Sequence, residues 1–175
     1  IEMIDEKLIP YLVDSIKTYW DRPAFTDYPG PALKYSDVGK QLLWIHRLFK
    51  TCGLKKGGKV ALAGKNSGSW ATLWISTVTY GGSIVPILAN FSPEDTQHIV
   101  NHCEAEILFV SKDKYDSIDP DQLRKVKYIF SLDDFSLLFA RDETIKKIIK
   151  PISETTDLKG LSAGGMNVED GCDNE

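Results

Sequence analysis

Residues 59–86, KVALAGKNSGSWATLWISTVTYGGSIVP, constrain the fold more than any other stretch. They open with a short apolar run, Val60 to Ala63, of a length that suits a buried strand. The polar turn Gly64-Lys65-Asn66-Ser67-Gly68 follows. Residues 69–80 then carry Trp70, Leu73, Trp74, Ile75, Val78 and Tyr80 with small hydroxyl residues between them and no charge. Gly81-Gly82 ends that segment, and a second apolar run, residues 84–88, contains Pro86. The order is strand, turn, helix, strand. A helical crossover can only join two strands that run parallel, so this is one βαβ unit. A helix apolar on most sides is expected to be buried on most sides, with the sheet on one face and a further layer on the other.

The flanking segments extend the alternation. Residues 8–20 place Leu8, Tyr11, Leu12, Ile16 and Tyr19 on one helical face. Residues 24–28 and 32–35 read as a small hairpin around Pro29-Gly30-Pro31. Ser36 is expected to cap a long helix whose buried stripe is Val38, Leu42, Ile45, Phe49 and Cys52, with Gly53 as its left-handed stop. Ser92-Pro93-Glu94-Asp95 starts a helix that runs to about Cys103. Residues 107–110 and 128–132 read as a third and a fourth strand, with one helical turn expected at 122–125. Asp133 or Asp134 is expected to cap a last helix reaching Ile149. From Pro151 the periodicity fades into Ser, Thr, Gly, Asn and Asp, the composition of a mobile linker.

Such an alternation predicts an α/β fold: a doubly wound, mainly parallel sheet with helices on both faces, plus the small N-terminal hairpin. The division expected is an α/β unit over residues 1–150 and a polar linker over residues 151–175. A chain of 175 residues with 42% hydrophobic and 26% charged residues can bury a core of that size. The net charge of −4 and the lack of a basic stripe argue against nucleic-acid binding. No apolar run approaches a membrane span. Cys52, Cys103 and Cys172 are odd in number and widely spaced, which reads as reduced thiols in a cytoplasmic protein. The chain opens at Ile1 without a Met and closes at Glu175 within a polar stretch, so both ends read as cut.

Taken singly, the candidate motifs are weak. Residues 53–59 have the glycine spacing of a phosphate loop, but Val60 stands where Ser or Thr would hold Mg²⁺, and the segment enters a strand instead of leaving one. Residues 64–68 lie at the carboxyl end of a strand and open a helix, a place where free amides attract anions, although without a full G-x-G-x-x-G a plain strand-to-helix turn is the simpler reading. His98 and His102 have the i, i+4 spacing of a zinc pair beside Cys103, but no further ligand cluster matches, and a solvated helix face is the simpler reading. His46 is a lone histidine at the edge of a helix stripe. The acids between Asp113 and Asp121 lack the Gly and closing Glu of a calcium loop. No G-x-S-x-G elbow and no Cys–His nucleophile is apparent.

The order of the segments is more specific. Asp21-Arg22-Pro23-Ala24, Leu33-Lys34-Tyr35-Ser36-Asp37, Gly53-Leu54-Lys55-Lys56-Gly57, Val60 to Ser67 with Trp70, Gly81, Val85-Pro86, Ser92-Pro93-Glu94 and the 104–110 strand follow one another. Over about residues 8–132 this resembles the N-terminal part of the AMP-forming acyl-CoA synthetases of the adenylate-forming superfamily, most closely bacterial long-chain fatty-acid–CoA ligases. Gly58 stands where an acid is usual and Ala89 where Pro is common.

The resemblance implies a ligase that makes an acyl-adenylate from a fatty acid and ATP with Mg²⁺, then transfers the acyl group to coenzyme A. It also implies that the family's Ser/Thr/Gly-rich phosphate loop, ending in Lys, belongs beyond this stretch. The nearest candidate, Ser162-Ala163-Gly164-Gly165, lacks the threonines and the lysine. No catalytic, cofactor-binding or metal residue is therefore assigned, and the chain alone is expected to be inactive, with no cofactor bound. In some relatives the loop corresponding to Ala89-Asn90 approaches coenzyme A. The face normally covered by the missing parts is expected to be apolar and exposed, a surface through which the isolated chain would form a homodimer. Other adenylate-forming enzymes, such as aryl-CoA ligases and peptide-synthetase adenylation domains, and a free-standing α/β binding module are the rival readings.

Overall fold

The computed structural model describes residues 7–168. Strands β1 (Pro23–Thr26) and β2 (Ala32–Lys34) form the expected antiparallel hairpin. The remaining strands are β3 (Lys59–Ala63), β4 (Ser83–Ile87), β5 (Ile107–Val110), β6 (Tyr128–Ser131) and β7 (Leu137–Ala140). They form one sheet in the order β4-β3-β5-β6-β7. All neighbours in it are parallel except the β6–β7 pair. In register, Val60 lies beside Ile84 on one side and Ile107 on the other.

The central strands are unbroken apolar runs because both sides of the sheet are covered. Val60, Leu62, Ile107, Phe109, Tyr128 and Phe130 face one core, and Ala61, Ala63, Leu108, Val110 and Ile129 the other, as strand alternation requires. Helices α2 (Tyr35–Thr51) and α3 (Gly68–Tyr80) supply the first core, and α4 (Pro93–His102) supplies the second. In the first, the Phe109 ring lies 6.4 Å from Phe49, 5.1 Å from Phe130 and 6.0 Å from Phe135 between centroids.

Helix α2 starts two residues earlier than a Ser36 cap suggests, with Lys34 at the N-cap. The backbone N–H of Lys34 donates to Asp37 Oδ2 at 2.9 Å, so the acid in the first turn secures the start, not the serine hydroxyl. Its stop is as expected. Gly53 has φ +71°, Leu54 N donates to Phe49 O at 2.9 Å, and Gly53 N donates to Lys50 O at 3.0 Å, a Schellman closure. The predicted stripe is buried, but Trp44, Leu48 and His46 are buried too, so α2 is covered on a wider front. His46 is thus not at an edge. Its Nε2–H donates to the Ser76 carbonyl at 2.9 Å, with Thr79 Oγ1 at 3.0 Å.

Helix α1 (Leu8–Thr18) crosses α2 at Gly39, where a Cβ would come 2.8 Å from the Trp20 ring and 3.1 Å from Met166 Sδ. Of the apolar face expected on α1, Ile16 is buried whereas Leu8 and Tyr11 are exposed.

Four further expectations are corrected. On α3 the fully buried side carries Leu73 together with Thr72, Ser76, Thr77 and Thr79, while Trp74, Ile75 and Val78 are half-buried. The hydroxyls of Thr72, Ser76, Thr77 and Thr79 each donate to the carbonyl four residues earlier, so they enter the interior without orphaned groups. Residues 133–149 are not one helix. Leu137-Leu138-Phe139-Ala140 pairs back on β6 as β7, and only α6 (Glu143–Ile148) is helical. The tight β6–β7 turn holds Phe135 at φ +58°, and Asp134 Oδ1 accepts from Ser136 N and Oγ.

Between β5 and β6 the helical turns fall at α5 (Lys112–Tyr115) and at the 3₁₀ turn Pro120–Gln122, not at 122–125. Arg141 ties that segment to β7 by donating to the carbonyls of Val126, Pro120 and Leu123.

The segment after Pro151 packs on the body of the molecule. Helix α7 (Thr156–Lys159) inserts Leu158 into the first core, Asp157 pairs with Arg47 at 2.7 Å, and Met166 is fully buried with Ile16, Val38 and Leu42. A mobile tail is therefore corrected for residues 151–168; a polar composition conceals two well-placed apolar anchors. Among the described residues no helix is long and apolar enough to cross a membrane.

Candidate functional site

In a doubly wound sheet, ligands collect outside the carboxyl ends of the strands where the winding reverses. Here β3 connects through α3 to β4 on one side, and β4 returns through α4 to β5 on the other. The switch point therefore lies between β3 and β5. Three turns surround it: residues 64–67 after β3, residues 88–92 after β4, and residues 111–112 after β5.

Much of that mouth is already filled. A Cβ on Gly64 would come 2.6 Å from Leu132 Cδ2, so Leu132 closes the gap beside β3. Lys112 N donates to Asp133 Oδ2 at 2.9 Å, and Lys112 Nζ pairs with Asp134 at 2.6 Å. Burial pushes the Asp134 carboxyl up, but hydrogen bonds from Lys112 and Ser136 outweigh it and hold the group well below the usual carboxylate range. The Ser111 hydroxyl bond holds Asp113 low as well, with a smaller pull from Lys65.

The start of α3, the anion site that residues 64–68 suggest, is also taken. Ser67 Oγ accepts from Trp70 N at 3.1 Å. Gly68 N donates to both carboxylate oxygens of Asp27, at 2.9 and 3.1 Å. Asp27 comes from the loop of the N-terminal hairpin, and a Cβ on Gly68 would strike Leu33 Cδ1 at 2.6 Å. The hairpin thus places its own carboxylate where a phosphate would have to sit.

What stays open is a cavity of about 370 Å³ lined by Gly64, Lys65, Asn66, Trp70, Leu88 and Asn90 among others. It joins the turns after β3 and β4, and Leu88 at its rim is 64% exposed. A second cavity, of about 470 Å³, lies between α2, α3 and the 157–167 segment, with Arg47, Lys50, Lys56 and Asp157 on its wall.

The other sequence candidates lie elsewhere. Residues 53–59 serve the amino end of β3, where Gly57 N donates to Gly81 O at 2.7 Å; this is a structural turn at the end of the sheet opposite the switch point. Residues 162–165 include a 3₁₀ turn, Ala163–Gly165, and form no glycine-rich cradle. His98 and His102 stack on α4 with centroids 6.2 Å apart. Among the described residues no group of three or more His, Cys, Asp or Glu side chains is placed to hold a metal. Cys52 and Cys103 are free thiols, and burial pushes Cys52 up to about 12, which removes it as a nucleophile. Cys172 lies outside the described residues.

A family model described as AMP-binding enzyme matches residues 12–158. A crotonobetaine/carnitine–CoA ligase of Proteus mirabilis is 35% identical over 77 residues, covering 44% of this chain and 15% of the relative. A long-chain-fatty-acid–CoA ligase of Rattus norvegicus is 30% identical over 98 residues, covering 56% and 12%. Long chain acyl-CoA synthetase 5 of Arabidopsis thaliana is 24% identical over 145 residues, covering 72% and 22%. The chain thus spans between 12 and 22% of the length of these relatives.

Among solved structures, apo MatB of Rhodopseudomonas palustris superposes with a TM-score of 0.63 at 17% identity, covering 93% of this chain and 29% of that one. The anthranilate–CoA ligase AuaEII in complex with anthranoyl-AMP gives 0.65 at 20% identity, covering 70% and 24%. These likenesses speak to fold.

Proposed function

The chain belongs to the AMP-binding enzyme family, and from that premise we propose that it is the N-terminal scaffold of a longer acyl-CoA ligase acting on long-chain fatty acids. In that reaction a carboxylate oxygen attacks the α-phosphorus of ATP and pyrophosphate leaves. The coenzyme A sulfur then attacks the acyl carbon and AMP leaves. The observation that carries the reading is a family match over most of this chain, together with likeness to acyl-CoA ligases several times its length. The long-chain substrate rests on the rat and Arabidopsis relatives.

The scaffold role follows from what this part offers. Adenylyl transfer needs cations and amide donors fixed around the phosphates. The amide of Gly68 at the start of α3 is engaged by Asp27. Mg²⁺ and the phosphates are held by the rest of the ligase in this reading. The isolated chain then neither turns over ATP nor binds it tightly, and residues 151–175 lead toward the ATP-binding part.

The contribution of this part to ligand binding is the loop at Ala89-Asn90, on the wall of the 370 Å³ cavity, which approaches coenzyme A. The free thiols of Cys52 and Cys103 accord with a cytoplasmic enzyme. The half-buried Trp74 and Val78, one turn apart on the outer side of α3, form the face that the missing parts cover, and that pairs with a second copy when they are absent.

A second reading is favoured by the 35% identity to the crotonobetaine/carnitine ligase: a CoA ligase for a short polar acid. The protein read from the complete open reading frame separates the two. Pyrophosphate release dependent on palmitate and coenzyme A supports the first; release with crotonobetaine but not palmitate supports the second; release with neither ends both. Calorimetry that finds micromolar ATP binding to residues 1–175 alone refutes the scaffold role. An Asn90→Ala enzyme with an unchanged KM for coenzyme A removes the loop assignment.

A further inference from the structure

One pair of side chains outside the switch point has chemistry that the ligase reading does not use. His98 and His102 stand one turn apart on α4, both exposed, with rings 15° from parallel and centroids 6.2 Å apart. Among the described residues no hydrogen bond or ion pair engages either ring. We propose that this pair is an open metal site for a divalent transition ion of the Zn²⁺, Ni²⁺ or Cu²⁺ class. One nitrogen from each imidazole binds the ion, and water completes its shell.

Three features support it. The first is preorganisation. Helix α4 is fixed at its start by Ser92 Oγ, which accepts from Asp95 N at 3.0 Å, and along its length by the buried Thr96 and Val100. At its end, the Asn101 side chain donates to Gln122 O at 2.8 Å and accepts from Arg124 N at 2.8 Å. The backbone separation of the two histidines is thus set before any ion arrives. Only their side-chain torsions must turn to bring one nitrogen of each to about 2.0–2.1 Å from a common centre.

The second is electrostatic. His102 is the last residue of α4, where the negative end of the helix dipole favours a cation. Glu94, exposed and four residues before His98, adds a negative charge to the same helix row. The third is donor type. Imidazole suits Zn²⁺, Ni²⁺ and Cu²⁺, whereas Mg²⁺ and Ca²⁺ take oxygen ligands. Cys103 is not the missing third ligand, since its half-buried thiol donates to Val100 O at 3.3 Å. A pair without a third ligand makes no closed structural site, which is why spacing alone argues against a zinc centre; it does make a chelate.

The test is calorimetric titration of tag-free chain with NiCl₂ or ZnCl₂, with circular dichroism to verify that each variant folds. The expected result is one equivalent bound. His98→Gln and His102→Gln should each weaken binding by about 100-fold, because tying two donors to one frame raises affinity over a single donor by roughly that much. Cys103→Ser should bind as the parent does. Parent and His98→Gln/His102→Gln binding alike would overturn the proposal, as would binding that follows Cys103 while ignoring both histidines. Neither result bears on the ligase reading.

Discussion

The two ends of the main sheet are finished differently. At one end β7 turns back on β6 and closes the structure from within: Phe135 packs edge-on against Phe109, Arg141 gathers three carbonyls, and Asp134 holds Lys112 and Ser136. At the other end β4, an edge strand as β7 is, has only Ile87 buried, and Pro86 removes one donor from it. Trp74 and Val78 on α3 and Val85 on β4 belong to no core cluster, and Leu88 is exposed just beyond. At the first end the half-buried Leu137, Leu138 and Phe139 all pack on the two cores. The second leaves its apolar side chains partly open, and the cavity of about 370 Å³ at the strand carboxyl ends borders it.

Four measurements break or sharpen that contrast. The largest effect is expected in the core against which the closed end packs. Phe109→Ala removes a fully buried ring from among three others and should cost about 3–5 kcal/mol in denaturant unfolding; a loss under about 1 kcal/mol would mean that the aromatic core is not packed as described. Next is Asp27→Ala, which strips α3 of the carboxylate at its first amide and should cost about 0.5–2 kcal/mol, within the range of lost helix caps. An unchanged stability would detach the hairpin from the open end.

The third concerns acid. Asp134 is held below the usual carboxylate range, so its contribution is present above the ordinary Asp value of about 4 and is lost as pH falls through the lower folded-state value. Because both partners of the Lys112–Asp134 pair are about half exposed, the effect is small. Asp134→Asn should flatten part of the acid limb of stability; identical acid limbs would show that the turn is not held by its charge. The smallest effect is expected at the open end. Trp74→Ala in this chain should cost about 1 kcal/mol or less, since a half-buried ring gives up only part of its transfer energy. A loss near that of Phe109→Ala would show that the open end is closed after all.

The carboxyl-end site is partly legible in the sequence. The turn at residues 64–67 can be placed there because a short apolar run, a polar turn and a capped helix are neighbours along the chain. Its occupation by Asp27 cannot be read that way, because Asp27 and Gly68 lie 41 positions apart and only the hairpin's docking brings them together. Leu132 against Gly64 is hidden for the same reason.

By itself, the sequence determined the local elements: the βαβ unit, the Gly53 stop of α2, the Ser92-Pro93 start of α4 and the continuous apolar strands. Each depends on backbone preferences and caps within a few residues. Tertiary structure decided which side of α3 turns inward, favouring small hydroxyls that satisfy themselves and admit α2 closely over a bulky indole. It also decided that residues 137–140 extend β6 instead of continuing a helix, and that Leu158 and Met166 draw a polar segment onto the core. Those outcomes depend on which distant surfaces meet, and a period read along one strand of chain carries no record of that.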